Sequence, residues 1–274
     1  MQGFRKLTVA DVRRLLSEDF AELCVKSLRE LPGPETWVWV VNEELIFRFP
    51  RAEVSLRHAR AEVEARVVAA LRETSAGRAH VPPIYYVSPR GYSGQRFVSG
   101  ITGEERRPPP EAWPQLAADV RHLLTAVHGT PPPQGVELEA LPDPDELLER
   151  ARADAQLTGM DPFALGSPPE VGGEPVLCHG DTKPEHFLLG AEDRLAWVID
   201  WADACVSHPV RDLWGAVLWL GPAFAWLVDP EHAAAATFYA RCSAVVNVAR
   251  DLRGEWNAPP VYAQLRAAFR SETA

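Results

Sequence analysis

Two polar clusters, each directly after an apolar segment, contain the residues best suited to chemistry. The first runs from His179 to His186 (His-Gly-Asp-Thr-Lys-Pro-Glu-His) after Val176-Leu177-Cys178, and the second begins at Asp200 after Trp197-Val198-Ile199. Burying two unpaired carboxylates is costly, whereas a bound divalent cation neutralises them. We therefore interpret the apolar segments as adjacent short strands whose ends carry Asp181 and Asp200 to one site.

This set of groups suits phosphoryl transfer. That reaction needs a carboxylate that accepts the proton of the acceptor hydroxyl, together with oxygen or nitrogen ligands that hold Mg²⁺ against nucleotide phosphates. Asp181 fits the first role. His186 and Asp200 fit the second role.

The bulk composition excludes other classes of partner. The formal net charge is −10, and a nucleic-acid partner would require clustered Lys and Arg. The longest apolar run, Trp214 to Val228, is shorter than the roughly 20 residues of a membrane span and is interrupted by Pro222. No signal peptide is visible behind Met1, so we expect a cytoplasmic protein with no membrane partner.

The cysteines indicate a reducing compartment. Cys24, Cys178, Cys205 and Cys242 are far apart, and none forms a C-x-x-C pair. In a chain of 274 residues this pattern is typical of small buried apolar side chains, not of a disulfide framework or a zinc site.

Periodicity predicts a small β-rich lobe followed by a larger helical lobe, an α+β fold with a lobe boundary between residues 98 and 99. In residues 1–98 we predict two helices and four strands: helix Thr8 to Leu16, strands Trp37 to Val41 and Leu45 to Phe49, helix Ser55 to Arg72, and strands Ile84 to Val87 and Gln95 to Val98. In residues 99–274 we predict helices Pro114 to His128 and Asp145 to Leu157, the two site strands, and mostly helix from Asp212 to Phe269.

The first cluster resembles the catalytic loop of the aminoglycoside and macrolide phosphotransferases, whose pattern is H-G-D-x-x-x-x-N or H-G-D-x-x-x-x-H. Lys183-Pro184-Glu185 also matches the corresponding loop of serine/threonine protein kinases. Ile199-Asp200-Trp201 resembles the family's I-D-F or I-D-W motif, and the segment from Ser207 to Leu213 resembles its D-P-x-x-D-L segment. The first two motifs at this separation are the specific part of a resemblance that spans roughly Trp37 to Trp214.

The resemblance implies a bilobal protein-kinase-like fold, Mg²⁺, and ATP or GTP as phosphoryl donor. It implies that Asp181 is the base and that His186 and Asp200 are metal ligands. Lys183 would contact the transferred phosphoryl group, or else would face solvent. His186 stands where Asn is commoner, which points to the His branch of the family and not to an inactive protein.

The resemblance also suggests a nucleotide site in the small lobe. Arg48 occupies the strand position at which protein kinases use Lys, with Glu64 as its helix partner and Glu62 as the fallback; the alternative is an edge-strand Arg in water. The glycine-rich phosphate loop is nearly absent, since only Gly33 precedes the Trp37 strand. The nucleotide base would bind the backbone of Gln95, Arg96, Phe97 and Val98.

The acceptor is less well defined. Glu185 and Asp203 are candidates for holding a cationic acceptor, and Trp219 is a candidate wall of its site or else a core aromatic, like Trp214 and Trp226. The stretch from Leu218 to Ala223 has no acidic residue, which favours a bulky, less charged acceptor over a polycation.

Several alternatives remain. A protein kinase is a poor fit because D-F-G and A-P-E motifs are lacking and no room exists for an activation segment. A metabolic kinase of the same superfamily, acting on an amino alcohol or sugar, stays open, as does a nucleotide-binding pseudokinase. We expect a monomer that uses a nucleoside triphosphate and a small-molecule hydroxyl acceptor.

Overall fold

The N-terminal region forms a five-stranded antiparallel sheet with strand order β1-β2-β3-β5-β4. The structure is a computed structural model that describes residues 4–33, 36–52, 60–255 and 261–270. The strands are β1 Leu28–Leu31, β2 Thr36–Val41, β3 Leu45–Pro50, β4 Ile84–Val87 and β5 Ser93–Arg96.

The predicted hairpin corresponds to β2 and β3. Asn42 and Glu43 turn the chain with φ values of 58° and 55°, and Asn tolerates this left-handed conformation better than most residues do. The Asn42 side chain also accepts hydrogen bonds from the backbone N–H groups of Lys26 and Ser27, at 2.7 and 3.1 Å. The turn is thereby fastened to the segment that leads into β1, a strand that the sequence pattern did not reveal.

Nine helices lie in the described parts of the chain. They are α1 Val9–Asp19, α2 Ala61–Arg72, α3 Ser75–His80, α4 Trp113–His128, α5 Pro144–Thr158, α6 Val210–Leu220, α7 Pro222–Val228, α8 Ala233–Leu252 and α9 Val261–Ala268. Thr8 begins α1 as a capping box with Asp11. The predicted helix from Ser55 is described only from its later part, since residues 55–59 lie outside the described residues.

Five short strands form two small sheets in the C-terminal part. They are β6 Ile101–Thr102, β7 Val176–Cys178, β8 Phe187–Leu189, β9 Leu195–Val198 and β10 Cys205–Ser207. β7 pairs with β10, whereas β9 pairs with β8 in a separate sheet. The prediction that the two site strands are adjacent was therefore wrong, because each takes a partner strand that the sequence pattern did not show.

Buried side chains form two clusters. The smaller one joins α1 to the sheet through Leu16, Phe47, Phe49 and Tyr92. The larger one runs from Val67 in α2 to Ala268 in α9. Helix α2 therefore packs in the larger cluster, although it lies in the first part of the chain, and the lobe boundary at residue 98 stays a prediction.

Three other predictions need correction. The strand predicted at Gln95 to Val98 begins two residues earlier, at Ser93. Trp226 is 44% exposed, so it is not a core aromatic. Cys24 is exposed, whereas the other three cysteines are buried and all four are free thiols.

The apolar run that was considered as a membrane span forms α6 and α7, which meet at Gly221. No helix within the described ranges is both long and apolar enough to cross a membrane.

Helix α6 packs closely on the polar loop that follows β7, and Gly215 permits this approach. A Cβ atom at Gly215 would lie 2.0 Å from the carbonyl oxygen of Thr182 and 2.2 Å from its Oγ1. The contact is mostly with backbone, so a side chain can be accommodated only if the loop moves.

We expect Gly215→Ala to lower the free energy of unfolding by about 1–3 kcal/mol, because overpacking at this contact displaces the loop. Urea denaturation measures the change. Gly172→Ala is the matched control: an added Cβ there meets no atom within 4 Å, and we expect a change within about 0.5 kcal/mol. An equal effect of the two substitutions would contradict the close approach of α6.

Candidate active site

The loop from His179 to His186 turns sharply at Gly180. Its φ is +85°, and a Cβ atom there would lie 2.2 Å from the carbonyl oxygen of Asp203. Only glycine fits such a position without strain. The glycine of the His-Gly-Asp motif therefore lets the chain pass against the segment after Asp200 and aim Asp181 into the cleft.

Asp212, buried at the start of α6, holds this loop. Its carboxylate accepts hydrogen bonds from the backbone N–H groups of His179 and Gly180, both at 3.0 Å, and its Oδ2 lies 3.0 Å from His128 Nε2. The Thr182 hydroxyl donates to the Asp212 carbonyl at 2.6 Å. Burial opposes ionisation, but the hydrogen bond from His128 and the loop N–H groups outweigh it and hold the pKa of Asp212 below its ordinary value.

His179 supports the loop by hydrogen bonding, as predicted. Its Nδ1 accepts from the backbone N–H of Asp181 at 3.2 Å, so the proton resides on Nε2, which lies 3.0 Å from the carbonyl oxygen of Ile199. Burial, with a smaller contribution from His186, lowers the pKa of His179. The neutral ring therefore links the two polar clusters without entering the cleft.

Asp181 forms an ion pair with Lys183 in the cleft. Lys183 Nζ donates to Asp181 Oδ2 at 2.9 Å, and the two side chains are 43% and 21% exposed. Burial opposes the charge on Lys183, but Asp181 more than compensates and raises the pKa of the lysine. Lys183 is therefore ionised in the free protein.

His186 and Asp200 face each other across the cleft. His186 Nδ1 lies 2.7 Å from the carbonyl oxygen of Asp181, which can only accept, so Nδ1 carries the proton. The lone pair of Nε2 then points toward Asp200 Oδ2, 3.7 Å away. Asp200 itself has φ +65°, an uncommon conformation for a residue other than glycine and one associated with functional sites.

This donor set fits a divalent cation. A carboxylate oxygen and an imidazole nitrogen with its tautomer already fixed can both ligate one ion, although imidazole is less usual for Mg²⁺ than oxygen. The Asp200 side chain is 40% exposed, which leaves its Oδ2 accessible from the cleft.

Arg48 joins three parts of the chain. From β3 its guanidinium donates to Asp200 Oδ1 at 2.5 Å and to Glu64 of α2. The Arg48 side chain is 16% exposed and that of Glu64 is 4% exposed. Glu64 rather than Glu62 is therefore the helix partner, and Arg48 is not an edge-strand residue in water.

The pKa values of Arg48, Glu64 and Asp200 follow from their burial and from the single positive charge of Arg48. Burial raises the pKa of Glu64 against the attraction of Arg48. Burial also opposes ionisation of Asp200, but the charge and hydrogen bond of Arg48 outweigh it and lower the pKa of Asp200. The pKa of Arg48 is raised, because its two carboxylate partners exceed the cost of burial. Asp200 is thus ready to bind a cation at neutral pH.

These groups line one cleft of about 280 Å³. Eight of the predicted site residues border it: Arg48, Glu64, Asp181, Lys183, Glu185, His186, Asp200 and Asp203. Glu185 Oε2 is buried and has no hydrogen-bond partner within the described residues.

Five predicted residues do not border this cleft. Arg96 lies over the ring of Trp197, with 5.6 Å between the guanidinium carbon and the ring centroid, and Gln95 is buried in β5. Phe97 and Val98 follow β5, and the Phe97 N–H donates to the Glu44 carbonyl at 2.8 Å. Trp219 is 5% exposed and donates from Nε1 to the Gly103 carbonyl at 3.0 Å, so it packs inside the larger cluster.

Sequence reasoning missed other residues near the cleft. Thr36, Ser93 and Ala202 line it, and no motif marks them. Burial raises the pKa of Glu104, and the charge of Glu185 raises it further, which places a second acid beside Glu185. The pair Glu104-Glu105 directly after Gly103 is the sequence feature that could have indicated this acid.

A second group of potential metal ligands consists of His128, Cys178 and Asp212. Both Asp212 oxygens already accept hydrogen bonds from the loop and from His128. This group is therefore explained by its role in holding the loop.

Residues 33–244 match the model of the phosphotransferase enzyme family (APH), so the chain belongs to that family and is a phosphotransferase. The predicted resemblance and the α+β protein-kinase-like fold are confirmed. Among curated proteins, none matches the chain significantly.

Solved structures share the fold along almost the whole chain. The GDP complex of wild-type aminoglycoside 2'-phosphotransferase-IIIa has a TM-score of 0.71 and 20% identity, covering 96% of this chain and 97% of that chain. The apoenzyme of macrolide 2'-phosphotransferase MphH from Brachybacterium faecium has a TM-score of 0.64 and 19% identity, covering 94% and 97%. The streptomycin-ATP-APH(2")-IIa ternary complex has a TM-score of 0.62 and 15% identity, covering 98% of each chain.

We expect Asp212→Asn to lower the free energy of unfolding by about 2–3 kcal/mol at neutral pH, because charge-assisted hydrogen bonds to the loop are lost. The folded pKa of Asp212 is depressed, so its stabilisation is present above the unfolded value of about 3.9 and is lost as the pH falls through the folded value. Urea denaturation at pH ~7 and pH ~3.5 should show the difference from wild type shrinking at the lower pH.

The exposed Asp145→Asn variant is the control and should change stability little at either pH. A deficit for Asp212→Asn that stays constant between the two pH values would contradict an ionised Asp212.

Proposed function

We propose that the protein transfers the γ-phosphoryl group of ATP or GTP to a hydroxyl of an aminoglycoside- or macrolide-type small molecule. The observation that carries this proposal is the convergence of Asp181, His186 and Asp200 on one cleft that also contains Arg48. Base, metal ligands and a cation for phosphate are the parts that phosphoryl transfer requires.

In this mechanism Asp181 accepts the proton of the acceptor hydroxyl. The hydroxyl oxygen forms a bond to the γ-phosphorus, the bond from that phosphorus to the β,γ-bridging oxygen breaks, and the nucleoside diphosphate leaves with the electron pair. Lys183, at 2.9 Å from Asp181, lies close enough to contact the transferred group. The Asp181 carboxylate borders the cleft, where it can take up this proton.

His186 and Asp200 would hold Mg²⁺, which when bound neutralises charge on the phosphates. Arg48 would donate its remaining N–H groups to phosphate oxygens while Glu64 and Asp200 keep the guanidinium in place.

For the nucleotide we propose residues 1–98 as the binding lobe and residues 99–274 as the catalytic and acceptor lobe. The backbone N–H groups of Val98 and Ser99 donate to no acceptor among the described residues, so the nucleotide base has donors available between the lobes. Val98 belongs to the backbone segment predicted to bind the base, whereas the Phe97 N–H already donates to the Glu44 carbonyl.

For the acceptor we propose that Glu185 and Asp203, together with Glu104, bind its cationic group. The buried, unpartnered Glu185 Oε2 supports this role, because such an oxygen is costly unless a ligand satisfies it. A metabolic kinase for an amino alcohol or sugar would use the same centre. A pseudokinase would have no need to retain both Asp181 and Asp200.

The test is a mass-spectrometric screen of the purified protein with Mg²⁺ and either ATP or GTP. The acceptors are kanamycin, erythromycin and ethanolamine, which represent a polycation, a bulky macrolide and an amino alcohol. We expect a phosphorylated product from wild type, and a rate at least about 100-fold lower for Asp181→Ala, since a positioned base contributes on that order.

Asp145→Asn serves as the activity control, and a titration with nucleotide checks that Asp181→Ala still binds the donor. Normal turnover in Asp181→Ala would contradict its role as base. Nucleotide binding without any phosphorylated product would favour an untested metabolic acceptor, and then a pseudokinase.

A further inference from the structure

The peptide group that joins Gly180 to Asp181 is hydrogen-bonded through both of its polar atoms. The Gly180 carbonyl oxygen accepts from Arg211 Nε at 3.3 Å, and the Asp181 N–H donates to His179 Nδ1 at 3.2 Å. A peptide group is planar, so these two bonds fix its rotation as a unit. That rotation sets the direction in which the Asp181 side chain leaves the backbone.

Glycine at position 180 makes this restraint necessary. Gly180 has φ +85° and no Cβ, so its own conformation restricts the neighbouring peptide group less than that of other residues would. The Gly180 N–H donates to Asp212 Oδ1 at 3.0 Å, but this bond belongs to the preceding peptide group. Among the described residues, Arg211 is the side chain that holds the carbonyl side of the glycine.

Arg211 is itself held in place. Its side chain is 14% exposed, and its Nη2 lies 3.1 Å from Glu139 Oε2. The guanidinium carbon lies 5.9 Å from the centroid of the Trp214 ring, within the range of a cation–π contact. The planar guanidinium thus donates in two fixed directions, which a lysine ammonium cannot reproduce.

The segment that carries Glu139 is anchored to strand β10. The Glu139 N–H donates to the Val206 carbonyl at 2.9 Å, and the Val206 N–H donates to the Glu137 carbonyl at 2.8 Å. Strand β10 also pairs with β7, which leads into the catalytic loop. Arg211 therefore bridges two groups whose separation is set by backbone hydrogen bonds.

No motif and no contact with the cleft explains Arg211. It stands at a variable position of the D-P-x-x-D-L pattern, directly before Asp212. It does not border the catalytic cleft as the described residues define it. An ion pair with Glu139, whose side chain is 36% exposed, contributes little to stability by itself. The contact with the Gly180 carbonyl is thus the interaction that calls for an explanation.

We propose that Arg211 is a positioning residue for phosphoryl transfer, which acts through the Gly180 carbonyl to orient the Asp181 carboxylate toward the acceptor hydroxyl. This inference rests on the proposed function, because it takes Asp181 as the base. Arg211 and Asp212 are consecutive in α6 and bind the carbonyl and the N–H of the same glycine. Asp212 holds the loop in place, whereas Arg211 sets the direction of the base.

The test compares Arg211→Ala with Arg241→Ala in steady-state turnover of MgATP or MgGTP, with water or the acceptor that wild type phosphorylates. Arg241 is the matched control, since its Nε donates to the Ala268 carbonyl at 3.1 Å and its guanidinium lies over the Phe269 ring. We expect kcat to fall about 10- to 100-fold in Arg211→Ala, because misplacing a reacting group by about 1 Å costs on that order. The nucleotide KM should stay within about twofold of wild type, since a residue outside the cleft removes no nucleotide contact. Arg241→Ala should leave kcat unchanged.

Chemical rescue separates positioning from a general loss of packing. Ethylguanidinium restores the planar donor and should raise kcat of Arg211→Ala at least about fivefold, whereas ethylammonium should not. Amide hydrogen exchange of residues 179–186 gives a readout without turnover: it should be faster in Arg211→Ala and slowed again by ethylguanidinium. Arg211→Lys keeps the charge and most of the stem, so it serves for the same measurements if Arg211→Ala does not fold, with the same direction of change expected.

Wild-type kcat in the Arg211 variant, loop exchange equal to that of wild type, or rescue by ethylammonium as effective as by ethylguanidinium would each overturn the inference. Asp181→Ala, measured in parallel, separates the two proposals. Normal turnover in Asp181→Ala would contradict the proposed function, whereas lost turnover there with normal turnover in Arg211→Ala would overturn the inference alone. Absent turnover in wild type would contradict the proposed function, and loop exchange would then decide whether Arg211 holds Gly180.

Discussion

The Arg48 guanidinium, held between Glu64 and Asp200, is the interaction on which the catalytic cleft depends. It joins the sheet, helix α2 and the segment after β9, which are otherwise separate in the chain. Removing Arg48 would leave the buried Glu64 carboxylate without its cation, which costs about 3–5 kcal/mol. The same contact lowers the pKa of Asp200 and thereby keeps a carboxylate ionised for a cation.

Asp212 provides the corresponding support from the helical side. It holds the backbone of the loop at His179 and Gly180, while Gly215 lets α6 approach that loop. The catalytic-loop backbone is therefore held in place by Asp212 and by the close packing of α6, and this fixes where the side chains of the loop begin. Carboxylates of one residue type thus serve two purposes: Asp212 is buried and saturated with hydrogen bonds, whereas Asp181 and Asp200 open into the cleft.

Asp181, His186 and Asp200 could be predicted from sequence because their residue types and spacing lie within short segments. Strand pairing could not: β7 and β9 look alike locally, and their partners β10 and β8 are chosen by contacts across the fold. Trp219 was ambiguous for a similar reason, since an aromatic residue in an apolar run fits a core or a ligand wall equally well.

We propose that His186 and Asp200 hold the nucleotide-bound metal beside Asp181. Pulsed electron paramagnetic resonance with Mn²⁺ in place of Mg²⁺, in the presence of nucleoside diphosphate, tests it most directly. We expect nitrogen hyperfine coupling from a coordinated imidazole in wild type, and its loss in His186→Asn. Bound Mn²⁺-nucleotide without nitrogen coupling in wild type, or coupling that persists in His186→Asn, would contradict the account.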